Sequence, residues 1–402
     1  MHIGDSPEEA TFRATAHAWL SQHAVPRRAA GTTHYDDLEA HVVQCRQWQR
    51  TLYDNGWAGI GWPTAFGGRG ASAIESSIFT EEQAGFSVAT GAFAVAIGMA
   101  GPTLMAHGTP DQQRDLLPAM LRGDHVWCQL FSEPGAGSDL ASLGTRAELD
   151  GDQWVINGQK VWTSLGQFAD YAILLARTDI DVPKHRGITY FLLDMRSPGI
   201  EVRPLRQITG TAHFNEVFLS DVRIPNCNVV GEVGNGWKVA QTTLTSERAF
   251  IGGGGGAWSV GGLIALATAN GSIHDPVIRQ ALMRAHSRAA TLTYLGYRLR
   301  TAFSHKRMPG GEMFIMKLAY ARHWAATVDT AMSVLGADGM ITDAGRNADT
   351  GSWGEYLLSQ FAIRLGGGTD EVQANIIAEQ ALGLPREPAV DRELAWKDLV
   401  RS

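Results

Sequence analysis

The sequence predicts an α+β multidomain protein, with an N-terminal α-helical domain over 1–125, a middle β-barrel or β-sandwich domain over 126–235 and a C-terminal helical bundle over 236–402. Two observations carry this reading. Hydrophobic periodicity passes from the helical to the alternating period near Trp127 and back again near Trp237. The 402 residues also exceed what one compact core accommodates, so two or three packed subdomains are expected.

The first domain opens at Ser6-Pro7-Glu8-Glu9, a capping box with proline at the first helical position, followed by Phe12, Ala16 and Trp19-Leu20 at helical spacing. Helical character is expected again over Leu38 to Trp57 and Glu75 to Met105, separated by the glycine and proline cluster Gly59 to Gly70. In the middle domain, short runs rich in β-branched and aromatic residues alternate with turns: Tyr171 to Leu175, Gly187 to Leu193, Glu216 to Leu219 and Val222 to Ile224. The helical period then holds from Trp237 to Leu382, with a turn at Met308-Pro309-Gly310-Gly311.

The most informative stretch is Gln129 to Ser164. Its polar loop, Ser132-Glu133-Pro134-Gly135-Ala136-Gly137-Ser138-Asp139, combines two glycines, which let backbone approach a ligand, with two hydroxyls and two carboxylates. Asp150-Gly151-Asp152 and Asn157-Gly158 read as turns on either side of the alternating run Gln153 to Ile156, which brings Trp162-Thr163-Ser164 back toward that loop. A glycine-rich barrel turn beside a core tryptophan is the plainer alternative.

Taken with Gly231-Glu232-Val233-Gly234-Asn235-Gly236-Trp237 and the late segment GGGTDEVQANIIAEQALGLPRE, this stretch resembles the acyl-CoA dehydrogenases along nearly the whole chain. The resemblance implies a helical domain, a β-domain and a four-helix bundle, with FAD as cofactor and an acyl-CoA thioester as substrate. By the same likeness Gln129, the backbone of Phe131 and the Ser132 hydroxyl would contact the flavin, Trp162 would cover one ring face and Ser164 would bond near N5. Ser138 would touch the CoA part of the substrate. Thr369 and Glu371 match positions that contact FAD, although Asp370 and Glu371 equally suit the positive end of a helix dipole.

Family chemistry needs a carboxylate to remove the α-proton of the thioester while flavin takes the β-hydrogen. The familiar glutamate of an E-G-T tripeptide is absent, because Gly367 stands there in Leu365-Gly366-Gly367-Gly368-Thr369. A second family solution places the base on an early helix of the last domain, and Glu247 in Thr245-Ser246-Glu247-Arg248 occupies that position. Glu247 is thus the expected general base, against the alternative of a solvated helix acid. Arg248 resembles a substrate-side residue, with a structural ion pair as its alternative. Gly367 would act through its amide, bonding the thioester carbonyl.

Gly252 to Gly256 follow directly on the expected base. Five glycines inside a helix would cost about 0.5 to 1 kcal/mol each relative to alanine, so they signal room for a branched or bulky acyl group, close helix packing or a break in the helix. Two further departures concern FAD. The R-K-x-F-G arginine that relatives extend to a neighbour's FAD pyrophosphate has no counterpart in Asn270 to Asp275, and Ser333 replaces a frequent glutamine. An oligomer is therefore expected, either a homo-oligomer (dimer or tetramer) in which Lys306, Arg307 or a helix N-terminus substitutes, or a hetero-oligomer with a related subunit.

A net charge of −7 gives no basic footprint for nucleic acid or anionic membrane. Three scattered cysteines, Cys45, Cys128 and Cys227, argue against a disulfide framework or a metal site and fit a cytoplasmic location. No signal peptide is visible, and the apolar Gly91–Met105 stretch is too short and broken for a membrane span. The leading expectation is an acyl-CoA dehydrogenase passing electrons to an electron-transfer flavoprotein or similar acceptor. A flavin-dependent oxidase or monooxygenase on the same fold, and a non-catalytic subunit, are the alternatives.

Overall fold

A computed structural model describes residues 4–26, 37–252, 260–305, 307, 310–341, 351–389 and 392–399. In chain order the elements are α1 (Pro7–His23), β1 (Val25–Pro26), α2 (Leu38–Asp54), α3 (Ala73–Gln83), β2 (Phe86–Ser87), α4 (Gly101–His107) and α5 (Pro110–Arg122). The β-region follows with β3 (Trp127–Leu130), β4 (Arg146–Asp150), β5 (Gln153–Ser164), β6 (Tyr171–Arg177), β7 (Ile188–Asp194), β8 (Ile200–Leu205) and β9 (Phe214–Pro225). The remaining helices are α6 (Gly236–Gly252), α7 (Val260–Ala269), α8 (Pro276–Ser304), α9 (Glu312–Leu335), α10 (Gly351–Leu365) and α11 (Asp370–Ile376).

The chain forms two compact units. One comprises Met1–Asp36, Ala71–Val88 and Ile251–Arg386. The other comprises Asp37–Gly70, Ala89–Phe250 and Glu387–Ser402.

The first unit is helical. Ser6 closes its capping box with Glu9, so two orphan N–H groups at the start of α1 are satisfied. Arg13 on α1 pairs with Glu82 on α3 at 2.9 Å, and α1 packs along α3. Within the bundle, α7, α8 and α10 pack on α9 around Leu263, Ala267, Leu282, Ala285, Ala331 and Val334. Burial of these stripes, at roughly 25 cal/mol per Å² of apolar surface, is the main term favouring the bundle.

The second unit is built on a seven-stranded sheet in the order β3-β6-β4-β5-β9-β8, with β7 also paired to β6. β3 runs parallel to β6, while β5, β9 and β8 form an antiparallel run. One face closes over Leu130, Trp154, Ile156, Leu174, Phe191, Val217 and Ile224. The alternation Trp154, Ile156 on β5 and Val217, Leu219 on β9 is the period-2 pattern that marked these runs as half-buried strands.

Three local expectations are corrected. The Glu75 to Met105 helix is interrupted: α3 ends at Gln83, β2 follows, and Gly91 sits at φ 110° before a wide helical turn at Ala96–Ala100 leads into α4. Asn157-Gly158 is not a turn but a bulge inside β5. Any side chain at Gly158 would run into Thr145, and the Asn157 amide exchanges bonds of 3.0 and 2.9 Å with the Asp221 carboxylate and N–H on the neighbouring strand. Correspondingly, Glu216–Leu219 and Val222–Ile224 are one strand, β9, kinked at Asp221 where φ is 52°. Matched irregularities on paired strands keep the ladder continuous where each sequence alone suggests a break.

Candidate active site

β3, locked parallel to β6, delivers the loop that begins at Phe131. Phe131 is buried, and its ring meets Tyr190 edge-on at 5.9 Å. The loop turns tightly, with Glu133 and Ala136 exchanging two backbone bonds of 3.1 Å around Pro134-Gly135.

A fully buried lysine and a largely buried carboxylate hold this turn. Lys160, fully buried on β5, donates to the Phe131 carbonyl at 3.0 Å and to the Glu133 carboxylate at 2.8 Å. Glu133 also accepts from the N–H groups of Gly144 at 2.6 Å and Thr145 at 2.9 Å. Burial pushes the Glu133 carboxyl up, but the Lys160 ammonium and these N–H donors outweigh it and hold the group below the usual carboxylate range. Burial also lowers the Lys160 ammonium, with Glu133 opposing. Sequence reasoning missed Lys160 as a positioning residue. The available signal was a lysine among strand residues whose neighbours face a core.

Further along β5 the ladder slips between Lys160 and Thr163, and Trp162 takes φ 62°. A bulky residue in the left-handed region is strained by on the order of 1–3 kcal/mol and persists only where surroundings impose it. Here buried Asn215 on β9 donates to the Thr163 carbonyl at 3.0 Å and to Gln167 at 2.5 Å, and Val161 N–H donates to the Ser132 carbonyl at 2.9 Å. The outcome is an indole 60% exposed, propped edge-on by Phe214 at 6.1 Å. Ser132, Ser138 and Ser164 have no hydroxyl partner among the described residues, and Thr163 Oγ1 and Asn215 Oδ1 are buried without one. An exposed indole two residues from the Ser164 hydroxyl, on a strand whose Val161 N–H meets the Ser132 carbonyl, fits a flat heteroaromatic ring with a polar edge, which is the shape of the isoalloxazine of FAD.

In the same unit, α6 is fixed by buried and part-buried hydroxyls. Thr243 Oγ1 lies 2.8 Å from Thr103 Oγ1 and 3.1 Å from the Tyr190 hydroxyl, and Thr242 meets His107 Nε2 at 2.8 Å. One turn beyond them Glu247 is half-buried, and Gln129 at the end of β3 donates to its Oε2 at 3.4 Å, a long and weak bond. Gln129, expected at the cofactor, is thus brought beside the expected base. The Arg248 side chain lies outside the described residues, as does most of the glycine run, since α6 ends at Gly252 and residues 253–259 are not described.

The other unit carries the late glycine segment. Gly367 and Gly368 adopt φ 65° and 89°. Two buried side chains grip their carbonyls: Gln373 Nε2 donates to Gly367 O at 2.8 Å and Lys317 Nζ to Gly368 O at 2.6 Å. The Gly367 N–H has no partner among the described residues. Thr369 caps α11 by accepting from Val372 N–H at 3.2 Å, and Asp370 pairs with Arg364 at 3.0 Å. Glu371 is exposed, and its carboxyl is lowered by its own backbone N–H and by the Thr369 hydroxyl. These are helix-start roles in themselves.

The FAD-related departures have structural occupations. Asn270 donates to the Val334 carbonyl at 2.7 Å, and Ser333 bonds back to Asp329 O at 2.9 Å within α9. Lys306 lies outside the described residues, and Arg307 N–H closes the turn after α8 by donating to Ala302 O at 3.0 Å. Among the described residues no cluster of His, Cys, Asp and Glu is arranged to hold a metal, and no helix is long and apolar enough to cross a membrane.

Comparison with known proteins matches this geometry to a family. Models of the acyl-CoA dehydrogenase N-terminal, middle and C-terminal domains match residues 6–124, 128–222 and 234–382. The acyl-CoA dehydrogenase IpdE1 of Mycobacterium tuberculosis (strain ATCC 25618 / H37Rv) is 40% identical over 387 residues, covering 94% of this chain and 98% of that protein. The solved structure of the Tcur3481-Tcur3483 steroid ACAD is similar with a TM-score of 0.82 at 30% identity, over 96% of this chain and 100% of that one. The ChsE4-ChsE5 complex from Mycobacterium tuberculosis follows at 0.78 and 30%, over 96% and 100%. The chain therefore belongs to the acyl-CoA dehydrogenase family of flavoprotein oxidoreductases.

Proposed function

We propose that this protein oxidises the α,β carbon–carbon bond of a bulky, ring-bearing acyl-CoA thioester to the trans-2-enoyl-CoA, with Glu247 as the base. The observation that carries the reading is the Glu247 carboxylate, half-buried on α6 one turn beyond Thr242 and Thr243, whose two buried hydroxyl contacts and one part-buried contact fix the helix, with the Gln129 amide beside it. A positioned carboxylate with restricted solvation is what proton abstraction from a weak carbon acid requires.

FAD, held against Trp162 with Ser132 and Ser164 at its polar border, would supply the acceptor for the β-hydrogen. The protein's own part is to receive the α-proton on Glu247, to stabilise negative charge on the thioester oxygen and to keep water from the reacting carbons. Gly367 belongs to the other unit and enters as the oxyanion donor through the family likeness, supported by its unpartnered N–H. Thr369 and Glu371 enter on the same footing as FAD contacts, Ser138 as a CoA contact and Arg248 as a substrate neighbour.

The ring-bearing acyl group is suggested by the similar steroid ACAD and by the absence of a side chain at Gly367. Because that structure and the ChsE4-ChsE5 complex each name two components, we further read the working form as a hetero-oligomer whose partner supplies the cationic group missing from Asn270 to Asp275. An anaerobic screen of acyl-CoA thioesters for flavin bleaching tests the reading, with the chain alone and with a co-expressed related subunit. Bleaching by ring-bearing thioesters, lost in Glu247→Gln, is the expected result. Bleaching that survives Glu247→Gln would overturn the assignment of the base, and turnover that consumes oxygen without an added acceptor would make the enzyme an oxidase.

A further inference from the structure

We propose that Trp396 is a positioning residue for CoA recognition, and that the segment 392–399 is a strap whose task is to hold the Ser138 loop in register. The inference rests on the reading of Ser138 as a CoA contact. The strap lies beyond residue 382, where the family match ends, yet it clusters with the unit that carries the β-sheet.

Its docking is specific. Ala395 bridges to Pro183, Trp396 N–H donates to Val182 O at 2.9 Å, and Lys397 N–H donates to Ile180 O at 3.1 Å. Lys397 Nζ adds an ion pair to Asp181 at 2.6 Å. These contacts fasten the strap to the loop between β6 and β7. Trp396 itself reaches a second loop, donating its indole N–H to Ser142 O at 3.3 Å and packing close to Gly144.

Between the two loops stands Arg177, a fully charged side chain only 2% exposed. Its guanidinium lies 4.6 Å from the centre of the Trp396 ring. It donates to Ala141 O at 2.6 Å, Leu143 O at 3.1 Å and Lys184 O at 3.0 Å, so one cation gathers three carbonyls from the two loops and the indole covers it. A buried arginine shielded from water in this way gains from the ring face as well as from its hydrogen bonds.

The consequence reaches Ser138 from both directions. On the far side of the loop, Gly144 N–H is held by Glu133, which Lys160 ties to Phe131 and hence to the Ser132 turn. On the near side, Asp139 accepts from Ser142 Oγ at 2.5 Å and from Lys184 Nζ at 2.7 Å. The loop carrying Ser138 is therefore suspended between the Glu133–Lys160 pair and the Arg177–Trp396 pair. Removing the indole frees one anchor while leaving the flavin-side anchor intact. The predicted defect is selective for ligands that touch Ser138 through their CoA part.

The test is calorimetric titration of flavin-loaded protein with two thioesters of cyclohexanecarboxylic acid, one of coenzyme A and one of N-acetylcysteamine, which lacks the nucleotide and most of the pantetheine. Trp396→Ala is expected to weaken the CoA thioester about ten-fold and the short thioester by less than about two-fold, the scale on which a modest displacement of a positioning group acts. Trp396→Phe keeps a ring over Arg177 but loses the N–H, and is expected to show the same selectivity at smaller size. Should the alanine variant fail to load flavin, the phenylalanine variant decides by the same ratio.

Equal weakening of both thioesters, or no weakening of either, would overturn the proposal. A wild-type protein that does not prefer the CoA thioester would overturn it together with the reading of Ser138. Glu247→Gln, with flavin absorbance followed during the same titration, keeps the two questions apart: retained bleaching there sinks the base assignment, while the thioester ratio still judges Trp396.

Discussion

In the loop that follows β3, a buried lysine and its carboxylate partner hold a stretch dense in hydroxyls and carboxylates, whereas in the turn before α11 a buried lysine and glutamine hold two successive glycines. Lys160 and Glu133 fix Phe131, Ser132 and Gly144, and their neighbours Ser132, Ser138 and Trp162 present hydroxyls and an indole. Lys317 and Gln373 instead grip the carbonyls of Gly368 and Gly367 and leave an amide N–H as the available group. The difference teaches where identity matters. A site made of side chains is lost by substitution, while one made of backbone survives it as long as the support stays; on the proposed reading, that lets Gly367 stand where the resemblance places a glutamate in familiar relatives.

The largest effect tests the side-chain half of that contrast. Glu247→Gln preserves shape and is expected to lower the rate of substrate-dependent flavin reduction about 10³-fold, within the range of general-base contributions. Stopped-flow absorbance reads the rate, and an unchanged flavin spectrum shows that the site is otherwise intact. A near-normal rate would mean that another group takes the proton.

Next comes the support of the loop. Lys160→Met leaves the Glu133 carboxylate buried without its cation and is expected to cost about 3–5 kcal/mol of unfolding free energy. Adding Glu133→Gln to it is expected to recover part of that loss, because the uncompensated charge is then gone. Denaturant unfolding measures both, and additivity of the two single losses would show that the residues are not coupled.

The glycine turn is expected to be more tolerant. Gln373→Leu removes the partner of a part-buried carbonyl and is predicted to cost about 1 kcal/mol, less than Lys160→Met. If the order of the two losses is reversed in denaturant unfolding, the contrast between the regions fails.

The gentlest change is pH. Burial raises the carboxyls of Glu133, Asp139 and Asp170, but their cationic and N–H partners outweigh it, so all three sit below their ordinary values. Groups depressed in the folded state add stability that is fully present above the unfolded carboxylate range, about pH 4, and is lost as pH falls through the lower folded values. Unfolding curves between pH 7 and pH 3 should therefore hold steady and then weaken below about pH 4. A flat profile across that interval would show that these pairs are too well solvated to matter.

Much of this was legible in the linear chain, and the reason is locality. The two changes of period mark out the helical, β and helical regions because core-facing residues recur every 3.6 or 2 positions whatever the tertiary partner. The capping box at Ser6 forms as written because all its atoms lie within four residues. Likewise the loop Ser132 to Asp139, the Trp162-Thr163-Ser164 tripeptide, Glu247 and the missing late glutamate are read from contiguous residues.

What only the tertiary structure decided involves partners far along the chain. Asn157-Gly158 carries the strongest local signal for a hairpin turn, yet it lies in a continuous strand because Asp221, 64 residues away, pairs with Asn157 and Thr145 fills the space beside Gly158. Lys160 has no assigned role until the fold places Glu133 and the Phe131 carbonyl around its ammonium. The outward turn of Trp162 depends on Asn215, 52 residues from the carbonyl it holds, and the anchoring of the Ser142 carbonyl on Trp396, 254 residues distant. A sequence shows which groups are available along a few turns of backbone. Which buried polar atom meets which is settled only when distant segments exclude water together, because burial without a partner is the alternative each such group must avoid.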